Sequence, residues 1–103
     1  MHSSESSEKE LLKKILEPLL EDFIYWFSRS SSLLESHTMP FLSKDEQNDL
    51  LERVRQAQKE VQTASMLFKM TDGKVGIDTQ VLVPWHRLVN ECWQVARKWR
   101  QLA

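Results

Sequence analysis

Hydrophobic residues recur at three- and four-residue steps along three stretches of this chain, which is the spacing of one face of an α-helix. Short polar or glycine-containing segments separate the three stretches. The pattern therefore predicts an all-α protein with long helices over about residues 8–36, 44–71 and 79–101.

Helix ends are marked by residues that satisfy free backbone groups. Ser7 with Glu10, and Ser43 with Glu46, have the spacing of a capping box, in which each side chain bonds a backbone amide of the first turn. Gly73 follows the second hydrophobic stretch, and glycine readily adopts the left-handed conformation found just past a helix end.

Two prolines fall within the predicted helices. The hydrophobic period continues in phase through Pro18, which favours a kink in the first helix over a new start. Pro84 stands either in the first turn of the third helix or at a second kink. Three helices with short connections pack most simply as an up-down-up antiparallel bundle. We expect one domain over residues 8–103, preceded by a disordered tail over residues 1–7, which are polar and rich in serine.

The first helix is more apolar than a bundle core requires. Leu20, Ile24 and Phe27 form a flank beside its main hydrophobic stripe. The chain itself can cover this flank, or the flank can be an interface for self-association or for another protein. We take the second interpretation as the hypothesis to test.

The second helix carries Met66, Leu67 and Met70 on the side opposite its stripe. A methionine cluster can be an adaptable binding surface. Because the apolar segment GKVGIDTQVLV follows directly, we expect this segment to fold back and cover the cluster.

Charge argues against a nucleic-acid partner, since the formal net charge is −1. The single cysteine cannot form an internal disulfide, and no apolar run approaches the roughly 20 residues that span a bilayer. The sequence therefore predicts a cytoplasmic protein without integral membrane insertion.

Five side chains line one edge of the third helix. They are His86, Asn90, Trp93, Arg97 and Arg100. Their spacing of three and four residues would let them hold an anionic or aromatic ligand by charge-assisted hydrogen bonds and stacking. The alternative is a helix border in which Trp93 is half-buried and Arg97 stacks on it.

Catalytic and metal-binding patterns do not occur in the sequence. Neither HxxxH nor CxxC is present, and there is no glycine-rich phosphate loop. Cys92 falls at the centre of a core face, where a thiol usually acts as a small hydrophobe. We expect no metal, no cofactor and no enzymatic activity.

Three segments carry a family resemblance: residues 11–27, LLKKILEPLLEDFIYWF; residues 40–54, PFLSKDEQNDLLERV; and residues 72–96, DGKVGIDTQVLVPWHRLVNECWQVA. They resemble a family of short, functionally uncharacterised cyanobacterial proteins, and the stretch PWHRLVNECW is the most distinctive part. The resemblance covers about residues 8–100. It implies a cyanobacterial source and an intracellular protein, and it assigns no functional residues.

The sequence thus favours a non-enzymatic protein–protein interaction module that self-associates or binds another protein. The alternative function is a small-molecule carrier or sensor that uses the edge of the third helix. An apolar pocket within one protomer would favour the carrier, whereas an extended apolar face shared between protomers would favour the module.

Overall fold

The computed structural model describes residues 3–73 and 77–102. Three helices make up most of this part of the chain: α1 (Ser3–Ser36), α2 (Lys44–Met70) and α3 (Thr79–Leu102). The predicted all-α bundle of three long helices is confirmed.

The predicted helix bounds agree closely with the structure except at the N-terminus. Both ends of α2 and of α3 lie within one residue of their predicted positions. By contrast α1 begins at Ser3, five residues before the predicted start, so the backbone of residues 3–7 is helical where a tail was predicted. The Ser7 side chain of the first capping box lies outside the described residues.

The second capping box and the glycine stop are both confirmed. The Ser43 hydroxyl accepts a hydrogen bond from the Glu46 amide at 3.0 Å, and the Glu46 carboxylate accepts one from the Ser43 amide at 2.8 Å. Past the end of α2, Gly73 has a φ of 79° and donates its amide to the Phe68 carbonyl at 2.8 Å. Local hydrogen bonds therefore define both ends of α2.

Neither proline starts a new helix. Pro18 lies in the middle of α1, and Pro84 lies five residues after the first residue of α3. Proline in a helix interior removes one backbone hydrogen bond. Kinks at these two positions stay predictions.

The core lies between α1 and α2, with α3 packed alongside. The residues that are less than one-tenth exposed come from all three helices and from the turn after α1. The apolar ones are Leu20, Phe23, Phe27, Leu34, Met39, Leu50, Val54, Ala57, Val61, Phe68, Trp85, Leu88, Val89 and Cys92. The predicted core face of α2 is confirmed by the five of these that belong to it.

Contacts along α1 show the relative directions of the helices. Near the start of α1, Lys13 forms an ion pair with Asp72, and near its end Glu35 pairs with Arg55. The order of these contacts is that of antiparallel neighbours. On the α3 side, Phe23 contacts Trp85 and His37 contacts Trp99. The residue numbers of the contacts increase together, which is the order expected of parallel helices. These contacts fit the up-down-up order.

The molecule is elongated, with principal extents of 59 × 22 × 20 Å. With 34 residues, α1 is about 51 Å long, and with 27 residues α2 is about 40 Å long. Since Lys13 meets Asp72, which lies just past α2, the part of α1 before residue 13 projects beyond α2. We call residues 3–15, which comprise this projecting part and the three residues beside the end of α2, the α1 overhang.

Candidate interaction surfaces

The predicted interface flank on α1 is part of the core. Leu20 is 1% exposed and Phe27 is 0% exposed, and Ile24 is partly buried against the same cluster. Phe27 stacks on Phe23 with ring centroids 6.1 Å apart. Assigning Leu20, Ile24 and Phe27 to an interface was therefore wrong, because α2 and α3 together enclose a wider arc of α1 than one hydrophobic stripe.

The exposed apolar surface of α1 lies instead on its overhang. Leu11, Leu12 and Ile15 are each more than half exposed. Leu11 and Ile15 lie about 120° and 80° around α1 from the buried Phe23, whereas Leu12 lies close to the direction of Phe23 but nearer the start of the helix. We call these three residues the α1 ridge.

A groove opens between α2 and the beginning of α3, at the same end of the molecule as the ridge. Its volume is about 520 Å³. The apolar part of its lining is Ala64, Leu67, Ile77, Val81 and Trp85, and the polar part is Gln56, Lys59, Glu60, Thr63 and Asp78. We call it the seam groove. No residue of α1 lines it, so it faces away from α1.

Polar contacts join α2 and α3 both beside this groove and further along the two helices. The Arg53 guanidinium donates two hydrogen bonds to Glu91, at 2.8 and 3.1 Å, and another to Asp49 at 3.0 Å. The bond to Glu91 is the main reason why the pKa of Arg53 is raised. Trp85 donates its indole N–H to Glu60 at 3.3 Å. Side-chain hydrogen bonds thus connect α2 and α3, while the apolar residues that line the groove leave it open.

Met66, Leu67 and Met70 are exposed, which corrects the expectation that the following segment covers them. Met70 is 75% exposed. Leu67 lines the seam groove opposite Val81, but α3 does not close over it. Met66 and Met70 lie on the side of α2 opposite its buried stripe, which no described helix reaches. Residues 74–76, part of the segment expected to cover the cluster, lie outside the described residues.

The structure brings together four of the five predicted residues on α3. Asn90, Trp93, Arg97 and Arg100 line a groove of about 360 Å³ together with Gln94. His86 is separate from this groove and packs edge-on against Phe23, with ring centroids 4.9 Å apart.

Trp93 is about half-buried, as the helix-border interpretation of the α3 edge expects. Its indole meets Trp26 edge-on at 5.5 Å and remains 46% exposed. In the part of the chain that the structure describes, neither Arg97 nor Arg100 lies over an aromatic ring or forms an ion pair. Stacking of Arg97 on Trp93 is therefore not observed there.

Cys92 lies in the core, as its position on α3 predicts. Burial raises the pKa of its thiol, and a hydrogen bond with Ser30 acts in the opposite direction. A thiol with a raised pKa forms little of the nucleophilic thiolate at neutral pH. Among the described residues, no group of three or more His, Cys, Asp or Glu side chains could hold a metal ion.

Sequence reasoning missed the two features that define the open end of the molecule. The ridge residues were not distinguished from the hydrophobic stripe of the first helix, because they recur at its three- and four-residue steps. Only the greater length of α1 over α2 could have indicated that they extend past the bundle. No helix in residues 3–73 and 77–102 is long and apolar enough to cross a bilayer.

Comparison with known proteins supports one assignment. No curated protein and no solved structure matches the chain. A family model described as "Protein of unknown function (DUF2605)" matches residues 6–101, which is nearly the whole chain. The chain therefore belongs to this family of proteins of unknown function.

Proposed function

We propose that the protein is a non-enzymatic protein–protein interaction module that binds an amphipathic helix in its seam groove. The observation that carries this proposal is the groove itself, in which the apolar walls of α2 and α3 stand open to solvent. Grooves of this kind take the apolar face of a helix whose anchor residues recur at three- and four-residue steps.

The exposed residues around the groove support a macromolecular partner. Met66 and Met70 are exposed apolar side chains on α2 near Leu67, which lines the groove. Clusters of exposed apolar side chains on a small protein often mark an interaction site. Methionine side chains are flexible enough to pack against different partner surfaces.

Photocrosslinking from inside the groove tests the proposal. A benzophenone amino acid placed at Thr63, on the groove lining, should give a discrete adduct with one protein in the cells that make the chain. The same amino acid at Ser32, an exposed position on α1, serves as the control. Adding Leu67→Lys should abolish the adduct, because a charge would then enter an apolar contact. Equal labelling from Thr63 and Ser32 would contradict the proposal.

A cytoplasmic location in a cyanobacterium is part of the same proposal. The single cysteine agrees with a reducing compartment such as the cytoplasm. The family resemblance of the PWHRLVNECW stretch supports a cyanobacterial source. Fractionation of the native cells, followed by detection of the protein, tests the location.

A second candidate function is a carrier or sensor for a small anionic aromatic ligand at the α3 edge. The observation in its favour is that Trp93, Arg97 and Arg100 share one groove, with both guanidiniums outside any ion pair among the described residues. An unpaired guanidinium can bind a carboxylate through two parallel hydrogen bonds.

Salicylate titration followed by NMR tests this second function. The indole N–H signal of Trp93 should shift on addition of salicylate and should stop shifting in Arg97→Ala. The same substitution should leave thermal stability nearly unchanged, because Arg97 is exposed. An unchanged Trp93 signal together with a loss of stability in Arg97→Ala would contradict the carrier function for this ligand class.

A further inference from the structure

We propose that the outer face between α1 and α3 binds an acidic peptide segment of a partner protein. Six side chains form this face, and we call them the aromatic–arginine row: Tyr25, Trp26, Arg29, Trp93, Arg97 and Arg100. The row includes part of the α3 edge and extends it across to α1. It adds a second surface to the proposed interaction module and is independent of the seam groove, which no α1 residue lines.

Direct contacts join the row across the two helices. On α1, the Arg29 guanidinium lies 5.7 Å from the centroid of the Tyr25 ring and donates a hydrogen bond to the Tyr25 hydroxyl at 2.9 Å. The Tyr25 ring meets Trp26 edge-on at 5.1 Å, and Trp26 meets Trp93 of α3 edge-on at 5.5 Å. These contacts restrict the side chains before a partner arrives, so binding orders fewer of them.

The row is accessible to a partner. Tyr25 is 51% exposed and Trp93 is 46% exposed, and the three arginines are exposed as well. Trp93, Arg97 and Arg100 line one groove of about 360 Å³. Tyrosine, tryptophan and arginine are the residue types that dominate the binding energy of protein interfaces. The composition of the row is therefore that of an interface.

The charge of the row is not balanced by its own helices. Residues 23–36 of α1 and 86–102 of α3 run side by side and contain two acidic residues, Glu35 and Glu91. Both are bound by arginines of α2, Glu35 at 3.0 Å and Glu91 at 2.8 Å. Over the residues that the structure describes, no arginine of the row takes part in an ion pair. The three guanidiniums therefore favour a negatively charged partner.

Two local features reduce this charge without removing it. Asp22 precedes Arg29 by two turns of α1, about 10 Å along the helix, and the two residues form no ion pair with each other. Arg100 lies in the last turn of α3, where the helix dipole also favours a cation. Because the dipole acts mainly within that turn, it does not account for Arg29 and Arg97.

The length of the row favours a peptide over a small ligand. Trp93 and Arg100 differ in height along α3 by about 10 Å. On the other side of Trp93, two more rings separate it from Arg29. A single carboxylate can pair with one end only, whereas an extended peptide rises about 3.3 Å per residue and can place carboxylates at both ends. Its apolar side chains would then pack on the exposed ring of Trp93.

Fluorescence anisotropy with a labelled peptide tests the proposal. The probe is the peptide DEFDEFDE carrying fluorescein, and the neutral peptide NQFNQFNQ with the same label shows whether charge is needed. The wild type should bind the acidic peptide about tenfold more tightly than the neutral one, and this affinity should fall as salt is added. Equal binding of the two peptides, or no binding of the acidic one at about 1 mM protein, would overturn the proposal.

Substitutions on the two helices locate the site. Arg29→Gln and Arg97→Gln should each weaken binding of the acidic peptide by about fivefold or more, because each removes one guanidinium from the row. Arg87→Gln is the matched control, since Arg87 is an exposed arginine of α3 outside the row and should change the affinity by less than about twofold. Circular dichroism verifies that the helices are retained. Equal losses in all three variants would indicate attraction by net charge alone and overturn the row as the site.

Further probes separate this proposal from the other candidate functions. If salicylate shifts the Trp93 signal and the acidic peptide does not bind, the peptide is overturned and the small-ligand carrier stands. Tighter binding of labelled oligouridylate than of the acidic peptide would assign the row to nucleic acid and overturn the proposal. The Thr63 adduct reports on the seam groove alone. An adduct without peptide binding would therefore overturn the row and keep the groove, whereas peptide binding without an adduct would support the row and overturn the groove.

Discussion

The two ends of the molecule differ in the burial of their apolar side chains and in the hydrogen bonding of their polar groups. At the end where α1 turns into α2, Met39 is fully buried, and one side chain, Gln47, bonds three backbone groups of the turn. The Gln47 amide accepts a hydrogen bond from the Met39 amide at 2.8 Å and donates to the carbonyls of Leu34 and His37 at 2.9 and 2.8 Å. This closed end buries Met39 and satisfies the backbone groups around it.

At the opposite end, apolar side chains stay in water. Leu12 is 56% exposed and Met70 is 75% exposed, and the seam groove lies nearby. Exposure of this kind adds nothing to the stability of the single molecule, because hydrophobic stabilisation is proportional to the area removed from water. The comparison teaches that side chains at the closed end contribute to the stability of the fold, whereas exposed side chains at the open end contribute little.

Truncating one methionine at each end should give the largest difference in stability. Met39→Ala removes a fully buried side chain and should lower the free energy of unfolding by about 2–5 kcal/mol. Met70→Ala removes an exposed side chain and should change the same quantity by less than about 0.5 kcal/mol. Urea unfolding of monomeric protein measures both, and equal losses would contradict the distinction between the two ends.

Removing the side-chain hydrogen bonds of Gln47 should have the next largest effect on the free energy of unfolding. Gln47→Ala leaves the Met39 amide and two carbonyls without their side-chain partner, and should destabilise the protein by about 1–3 kcal/mol. Gln62→Ala, an exposed position on the same helix, is the matched control. Hydrogen exchange should show faster exchange of the Met39 amide in Gln47→Ala. Unchanged exchange there would mean that Gln47 does not protect the turn.

The cap of α2 should contribute less. Ser43→Ala removes the acceptor for the Glu46 amide and should lower the free energy of unfolding by about 1 kcal/mol. Thermal unfolding compares this variant with Ser36→Ala, in which the serine ends α1 without such a bond among the described contacts.

The stability that the same cap contributes should depend on pH, with a sign that follows from the pKa of Glu46. Hydrogen bonding from the Ser43 backbone lowers the pKa of Glu46 in the folded protein. A lowered pKa contributes stability that is present above the unfolded-state pKa and is lost as the pH falls through the folded-state value. Wild type should therefore exceed Glu46→Gln in stability at pH 7, and the difference should shrink at about pH 3. A difference that grows on acidification would contradict this assignment.

A polar substitution in the ridge should have the smallest effect on the single molecule. Leu12→Ser should change the free energy of unfolding of the monomer by less than about 0.5 kcal/mol, because the side chain is already mostly in water. Urea unfolding of the single molecule measures this effect. A loss of several kcal/mol would show instead that Leu12 belongs to the core of the monomer.

Local signals in the sequence predicted the helices well. The bounds of α2 and α3 follow from the hydrophobic period together with Ser43, Glu46 and Gly73, whose caps act within a few residues. The start of α1 was predicted less well because Ser7 has the spacing of a cap although the backbone around it is already helical. Helix-forming residues such as Glu8 and Glu10 continue α1 through that point.

The candidate surfaces could be predicted only in part. The α3 edge was found by spacing alone because its members lie on a single helix, and the structure joins all of them except His86. The seam groove was missed because it is formed between two helices. The spacing of Leu67 on α2 and of Val81 on α3 contains no information on how closely the helices approach each other.

The sequence by itself determined the secondary structure, the buried face of α2 and the buried position of Cys92, because each depends on the 3.6-residue period and on caps within one turn. Only the tertiary structure decided which parts of the apolar face of α1 are covered. Leu20 and Ile15 belong to the same helix and have the same apolar character, yet Leu20 is 1% exposed and Ile15 is 55% exposed. The physical reason is that burial depends on which side of α1 the neighbouring helices occupy: Leu20 and Ile15 are five residues apart, which places them about 140° apart around the helix. The tertiary structure covers the side of Leu20 and leaves the side of Ile15 exposed.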